Sequence, residues 1–143
     1  MNDGLSSVSH AVFQNAHHFE WCTKYRYKIF NSFELINACE ASIRHAAERH
    51  GIKIFELSVM PDHIHCVVEF RPSLSVSTAE GLLKGASAHE LFALFPPLRK
   101  QYWGGHLWSS GRFSRSLGNI DIKRARDYVR FENDSRQQTL AAY

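Results

Sequence analysis

Met60-Pro61-Asp62-His63-Ile64-His65-Cys66-Val67-Val68-Glu69-Phe70 is the stretch from which both the fold and the chemistry can be worked outward. Pro61-Asp62 reads as a tight turn, because Pro fixes φ and Asp brings a side-chain acceptor. Beyond the turn the residues alternate as in a strand. Ile64, Cys66, Val68 and Phe70 fall on one face, and His63, His65, Val67 and Glu69 on the other. Two imidazoles two residues apart on a strand point the same way, close enough to grip one cation. The apolar residue between them, Ile64, ties the strand to a core. Taken alone, the pair also suits plain surface histidines, so the neighbouring segments decide.

Upstream, Ile52 to Met60 alternates through Phe55, Leu57 and Val59 and makes an antiparallel hairpin with the histidine strand. Before it, Asn31 or Ser32 can cap a helix reaching about His50. Leu35, Ile36, Cys39, Ile43 and Ala47 form its apolar stripe, and Gly51 ends it. The pattern from Ala16 to Thr23 is a first strand, with Phe19 and Trp21 on one side and His18, Glu20 and Cys22 on the other. His17 and His18, being adjacent, point to opposite faces and are poor candidates for one metal. His45 and His50 read as surface residues.

Downstream, Arg71-Pro72 closes the histidine strand and Ser73–Ser77 forms a loop. A second helix runs from about Thr78 to Phe95 and stops at Pro96-Pro97. Gly81 and Gly85 share one face of it, at ~1 kcal/mol each relative to Ala, so a close approach is expected there. Leu98–His106 is a basic-aromatic loop, and Leu107–Leu117 a long, partly irregular fourth strand. Asn119 can cap a last helix from Ile120 to about Gln137. The order is strand, helix, strand, strand, helix, strand, helix. The first six elements are the ferredoxin-like split βαββαβ plan: an α+β antiparallel sheet with helices on one face, followed by a C-terminal helix.

Composition sets the outer bounds. The chain has 143 residues, enough for a single domain over 1–143, with residues 1–14 as a loose leader. No apolar run approaches the roughly 18–20 residues that cross a bilayer. Met1–His10 lacks the basic start and apolar block of a secretory signal, so cytoplasmic residence and no membrane contact are expected. Three scattered cysteines, Cys22, Cys39 and Cys66, fit neither a disulfide framework nor a zinc knuckle. The formal net charge is +3. Lys24, Arg26 and Lys28 interleave with Tyr25 and Tyr27, and Arg99 and Lys100 precede Tyr102 and Trp103. Cations for phosphates beside rings for bases suit single-stranded nucleic acid. A solvated basic surface with the rings turned inward fits the same composition.

The last helix carries an apolar stripe, Ile122, Ala125 and Val129. Beside it runs a polar row, Asp121, Arg124, Tyr128 and Glu132, at spacings of three and four. A tyrosine can hold a phosphate covalently and conserve the bond for rejoining. Its phenol, with pKa ~10, needs help at neutral pH. A divalent cation on His63 and His65 would polarise the scissile phosphate and stabilise the leaving oxygen, and Glu132 is a fitting third ligand. A surface tyrosine with Glu132 in an ion pair is the plainer alternative.

Together these segments resemble the tyrosine HUH transposases, TnpA-like enzymes of the smallest bacterial and archaeal insertion sequences. The matching stretches are Phe19-Glu20-Trp21-Cys22-Thr23-Lys24-Tyr25-Arg26, Val59-Met60-Pro61-Asp62-His63-Ile64-His65, Leu83-Lys84-Gly85-Ala86-Ser87-Ala88, Trp103-Gly104-Gly105-His106-Leu107-Trp108, and Tyr128. The resemblance implies a ferredoxin-like fold, a homodimer with active sites shared between subunits, and dependence on Mg²⁺ or Mn²⁺. It implies DNA transposition by cleavage and rejoining of single-stranded DNA at hairpin-marked ends, through a 5′-phosphotyrosine. Tyr128 would then be the nucleophile and His63, His65 and Glu132 the metal ligands. Lys24, Arg26, Lys84, Ser87 and Arg124 are the expected nucleic-acid contacts. Glu132 stands where the family often has Gln, and Gly111-Arg112-Phe113 replaces a Ser-Tyr-aromatic stretch. The alternatives are a domesticated nuclease-ligase of genomic repeats and a catalytically silent single-strand-binding module.

Overall fold

A computed structural model describes residues 15–141; the expected leader, 1–14, lies outside them. Strand β1 (Ala16–Cys22) is followed by one 3₁₀ turn (Lys24–Arg26) and helix α1 (Phe33–Arg49). Strands β2 (Lys53–Val59) and β3 (His63–Glu69) come next, then helices α2 (Val76–Leu94) and α3 (Pro96–Gln101). Strand β4 (Phe113–Leu117) and helix α4 (Asn119–Ala141) complete the order. The strands lie β2-β3-β1-β4, all neighbours antiparallel, which is the split βαββαβ arrangement.

The sheet has two different faces. Phe19 and Trp21 of β1, and Ile64, Cys66 and Val68 of β3, point into the larger core with α1 and α2. Helix α1 starts where Ser32 accepts the Leu35 amide, and buries Ile36, Cys39, Ile43, Ala46 and Ala47. It ends at Gly51, whose φ of +69° an L side chain would resist. The turn at Pro61-Asp62 is closed by the Met60 amide on the His63 carbonyl, at 2.8 Å. The opposite face holds a smaller cluster: Ala16, Val67 and Leu117 from the strands against Ile122, Ala125 and Val129 of α4. Val67 alternates with Cys66 and Val68, so one strand feeds both cores.

Some local expectations change. Helix α2 begins at Val76, because Ser75 rather than a later residue accepts the Thr78 amide. Helix α2 does end just before the prolines, at Leu94, but Pro96 and Pro97 then open the short helix α3, since Pro is well suited to a first helical turn. Strand β4 is confined to Phe113–Leu117, and Trp108 joins the sheet only by an isolated bridge to Thr23. Nothing in the described chain lies within 4 Å of a Cβ placed on Gly81 or Gly85, so the expected close approach is not made by the sheet or by another helix.

Candidate active site

Antiparallel pairing of β1 with β3 sets Glu20 opposite His65, His18 opposite Val67 and Cys22 opposite His63. Directly opposed residues share a face, so the outer face carries two rows of donors side by side. His65 is 1% exposed, and neither of its ring nitrogens has a hydrogen-bond partner. His18 Nε2 is likewise buried without a partner. A buried unpaired polar atom costs ~1–3 kcal/mol, so such atoms at one spot call for a ligand. Ligand atoms of His18, Glu20 and His65 all lie within 4.8 Å of one another. Burial, followed by His63 and then His18, pushes His65 down to about 4. Burial also lowers His18. Both imidazoles are therefore neutral at neutral pH and carry free lone pairs. Two buried imidazoles with unpartnered nitrogens beside a half-buried carboxylate fit a divalent metal.

Helix α4 lays Tyr128 over this floor. Val129 faces inward at 0% exposure, and its neighbour Tyr128 falls at the margin of the buried stripe, about half exposed. The Tyr128 ring centre is 5.5 Å from that of His65, edge-on at 79°, and 6.5 Å from that of His18. Burial raises the phenol pKa, and the Glu132 and Glu20 carboxylates add to the rise. Without added positive charge, the phenolate form is disfavoured here.

The grouping differs from the expected His63, His65 and Glu132. His65 is in the cluster. His63 sits next to it, rings 5.4 Å apart, but its Nδ1 bonds Asp62 Oδ1 at 2.9 Å. Glu132 is near enough to act on Tyr128, yet it is not part of the close donor group. His18 and Glu20 stand beside His65 in the close group and were not singled out as donors. Their signal was available: alternation already put them on one side of β1, and the βαββαβ plan pairs β1 with β3. The adjacency of His17 diverted attention. His17 turns the other way, stacked on Phe70 at 5.1 Å and bonded to Asn15.

The sequence profile of the family described as "Transposase IS200 like" matches residues 11–132. The chain belongs to the IS200-like transposases. It is 28% identical over 123 residues to the ISDra2 transposase TnpA of Deinococcus radiodurans, covering 86% of this chain and 87% of that one. It is 29% identical over 126 residues to the transposase for insertion sequence element IS200 of Salmonella typhimurium, covering 88% and 82%. A crystal structure of a putative transposase from Deinococcus radiodurans superposes with a TM-score of 0.70 at 26% identity, over 90% of this chain and 98% of that one. A REP-associated tyrosine transposase bound to a REP hairpin shares the fold, with a TM-score of 0.60 at 15% identity over 87% and 70% of the two chains.

In this IS200-like transposase the basic and aromatic residues fall at the His63 end of the site. Asp62 bonds His63 on one side and Arg26 on the other, with its Oδ2 3.2 Å from Arg26 Nε. Tyr25 and Arg26 both have positive φ, 63° and 54°. That unfavourable turn exposes the Tyr25 ring, which lies nearly parallel to Tyr102. Lys24 and Lys84 line a cleft of about 390 Å³ with Gly85, His106 and Trp108. Lys84 Nζ donates to the Ser109 carbonyl at 2.9 Å. Arg124 is exposed on α4. Ser87 is different: it is fully buried, donates to the Leu83 carbonyl and accepts from Trp108 Nε1 at 3.0 Å. Its hydroxyl anchors Trp108 rather than facing a bound strand. No helix among the described residues is long and apolar enough to cross a membrane.

Proposed function

We propose that this transposase cleaves and rejoins single-stranded DNA through Tyr128. The observation that carries the reading is the phenol ring packed 5.5 Å from a buried, partnerless His65. In cleavage, the Tyr128 phenolate oxygen attacks the scissile phosphorus. The phosphorus–Oη bond forms, the bond from phosphorus to the 3′ oxygen breaks, and that oxygen takes a proton to leave as a 3′-OH. The product is a 5′-phosphotyrosine. Rejoining is the reverse, with a 3′-OH as nucleophile and the phenol as leaving group, so the bond energy is conserved.

A divalent cation, Mg²⁺ or Mn²⁺, would polarise the scissile phosphate and favour the deprotonated phenol. His65 and His63 would hold it on β3, with Glu132 brought to its edge by α4. Lys24, Arg26, Lys84 and Arg124 would meet phosphates, and Tyr25 would stack an exposed base. The substrate would be DNA with hairpins near the element ends, because a helix-borne phenol needs an exposed phosphate on a bendable strand. A homodimer with shared sites is part of the same proposal.

The test is incubation with labelled hairpin-bearing single-stranded DNA from the element ends and Mn²⁺, read on a denaturing gel. Wild type should give a covalent band and Tyr128→Phe none, with DNA binding retained. A band that persists in Tyr128→Phe would refute the assignment. For shared sites, mixed Tyr128→Phe and His63→Ala subunits should recover part of the activity; no recovery despite subunit exchange would refute sharing.

A further inference from the structure

We infer that Glu80 of α2, with Lys84 and Arg112 beside it, reads an unpaired guanine of bound single-stranded DNA in a groove between α2 and β4. The groove lies on the face of the sheet opposite the tyrosine helix. The inference deepens the single-strand reading above and rests on it for the ligand, but its test does not use cleavage.

Glu80 is a buried charge that the cleavage chemistry does not use. It is 1% exposed, and neither of its carboxylate oxygens has a hydrogen-bond partner. Buried acceptors without donors are costly and rarely left so. Arg112 Nε stands 3.6 Å from Oε1, too far for a hydrogen bond, and the Arg112 side chain is 44% exposed. Burial raises the Glu80 carboxyl to about 7, against the pull of Lys84 and Arg112.

The surroundings form an open groove. Strand pairing sets Ser114 opposite Phe19 and Ser116 opposite His17. Phe19 faces the larger core, so Ser114 and Ser116 lie on the α2 side of the sheet, yet both are exposed. Arg112, just before β4, reaches the same side in its contact with Glu80. On α2, Gly81 follows Glu80, and nothing in the described chain lies within 4 Å of a Cβ placed there. At ~100° per residue, Lys84 projects from the helix between Glu80 and Gly81. A flat ring can therefore lie on bare backbone at Gly81 with its edge toward Glu80 and Lys84. The carboxylate is reached when Arg112 swings outward, which its long contact and its exposure permit.

Two unpaired acceptor oxygens side by side call for two parallel N–H donors. Among the DNA bases only guanine presents them on its pairing edge, as the ring N–H and the adjacent amino group. The guanine carbonyl beside them suits Lys84 or Arg112. Adenine and cytosine set one amino group next to a bare ring nitrogen, which would face the second oxygen. Thymine sets its one N–H between two carbonyls. In a single strand this edge is free to be read. An arginine from a protein partner also carries paired N–H donors. Lys84 and Arg112 repel such a cation and attract the phosphodiester that accompanies a base.

The experiment is fluorescence anisotropy of the full chain with short labelled thymine oligonucleotides. Their central base is guanine, inosine, adenine, cytosine or thymine. The guanine strand should bind ~10-fold more tightly than the all-thymine strand, within the range of a bidentate base contact. Inosine, which lacks only the amino group, should lose most of that gain. Glu80→Gln should hold the guanine strand no better than the all-thymine strand, because an amide offers one acceptor in place of two. The inosine strand needs no variant, so the test does not depend on how Glu80→Gln folds. Unlabelled 5′-GMP should displace the guanine strand at lower concentration than 5′-AMP, 5′-CMP or N-acetylargininamide. Equal affinity for guanine and inosine strands would overturn the inference, as would a guanine preference that survives in Glu80→Gln. Stronger competition by N-acetylargininamide than by 5′-GMP would overturn it in favour of a protein partner. Failure to bind any strand would overturn it together with the single-strand reading. Adduct formation at Tyr128 is scored separately, so loss of the guanine preference alone leaves the cleavage reading in place.

Discussion

Replacing Glu56 should loosen the tyrosine helix while leaving the histidine floor intact. Glu56 projects from β2, next to the register shift between Ile54 and Glu56. Its Oε2 accepts from Arg126 at 3.3–3.4 Å and also from Arg130. Glu56 and Arg126 are mostly shielded, with side chains 15% and 19% exposed, whereas Arg130 is 54% exposed. A hydrogen bond to a charged group contributes ~1.5–3 kcal/mol when shielded, and an exposed pair ~0.2–1. Discounting for partial exposure, Glu56→Ala should cost roughly 2 kcal/mol and Glu56→Gln about half as much. Each 1.4 kcal/mol is tenfold in an equilibrium, so undocked α4 should be populated over ~10-fold more in Glu56→Ala. Amide hydrogen exchange is the assay. Amides of α4 should exchange faster in Glu56→Ala, those of β1 and β3 should not change, and the Tyr128 adduct should form more slowly. Unchanged exchange in α4 would refute the clamp, and equal acceleration across β3 would refute its independence from the floor.

Burial raises the Glu80 carboxyl from 4.5 to about 7, with Lys84 and Arg112 pulling it back; the native state then binds the proton more tightly, so stability should fall as pH rises from 4.5 through 7, and Glu80→Gln should remove that slope and be the more stable by up to roughly 3 kcal/mol at pH 8, measured by urea melts. Trp108→Ala should cost ~3–5 kcal/mol in the same melts, because it deletes a ring stacked on Phe30 and the donor to Ser87 and the Lys84 carbonyl. Tyr25→Asn removes an exposed ring while tolerating the positive φ of that position; it should weaken single-strand binding by ~1–3 kcal/mol and leave duplex binding unchanged, as read by fluorescence anisotropy.

Strand alternation was the most legible feature of the fold. The inward set Ile64, Cys66 and Val68, the outward histidines, and the stripe Ile122, Ala125 and Val129 all follow from period alone, and each is found where its period puts it. Local polar chemistry was less legible. Helix α3 was hidden because Pro96-Pro97 both ends one helix and starts another. Gly81 and Gly85 carry the composition of a close approach, but no part of the described chain packs onto them. Ser87 looked like a phosphate contact because sequence cannot say which face of α2 meets Trp108. The full set of donors around His65 was hidden for a related reason. His63 and His65 are visible as a pair within one strand, but His18 and Glu20 join only through cross-strand register. Register is a property of two segments 45 residues apart, and no local window contains it.

The two faces of the sheet divide the labour of such a site. The face toward α1 and α2 buries large side chains, including Phe19, Trp21, Phe30, Ile64 and Leu83, and fixes the backbone of β1 and β3. Elements with that much buried contact open only with global unfolding. His18, Glu20 and His65 inherit this rigidity through their backbones, although their side chains lie on the other side. The face toward α4 offers far less: Ala16, Val67 and Leu117 against one small stripe, reinforced by the Glu56 clamp. The helix bearing Tyr128 is thus seated by a few apolar groups, the Glu56 clamp on Arg126 and Arg130, and Arg136 on the Phe30 carbonyl, far less buried contact than fixes β1 and β3. On the cleavage reading proposed above, a nucleophile that becomes bonded to DNA, and must later release it, gains from a carrier that can shift without dismantling the floor beneath it. The alternation of Val67 with Cys66 and Val68 makes this possible: a single strand anchors the main core through Ile64, Cys66 and Val68 and meets the smaller one through Val67.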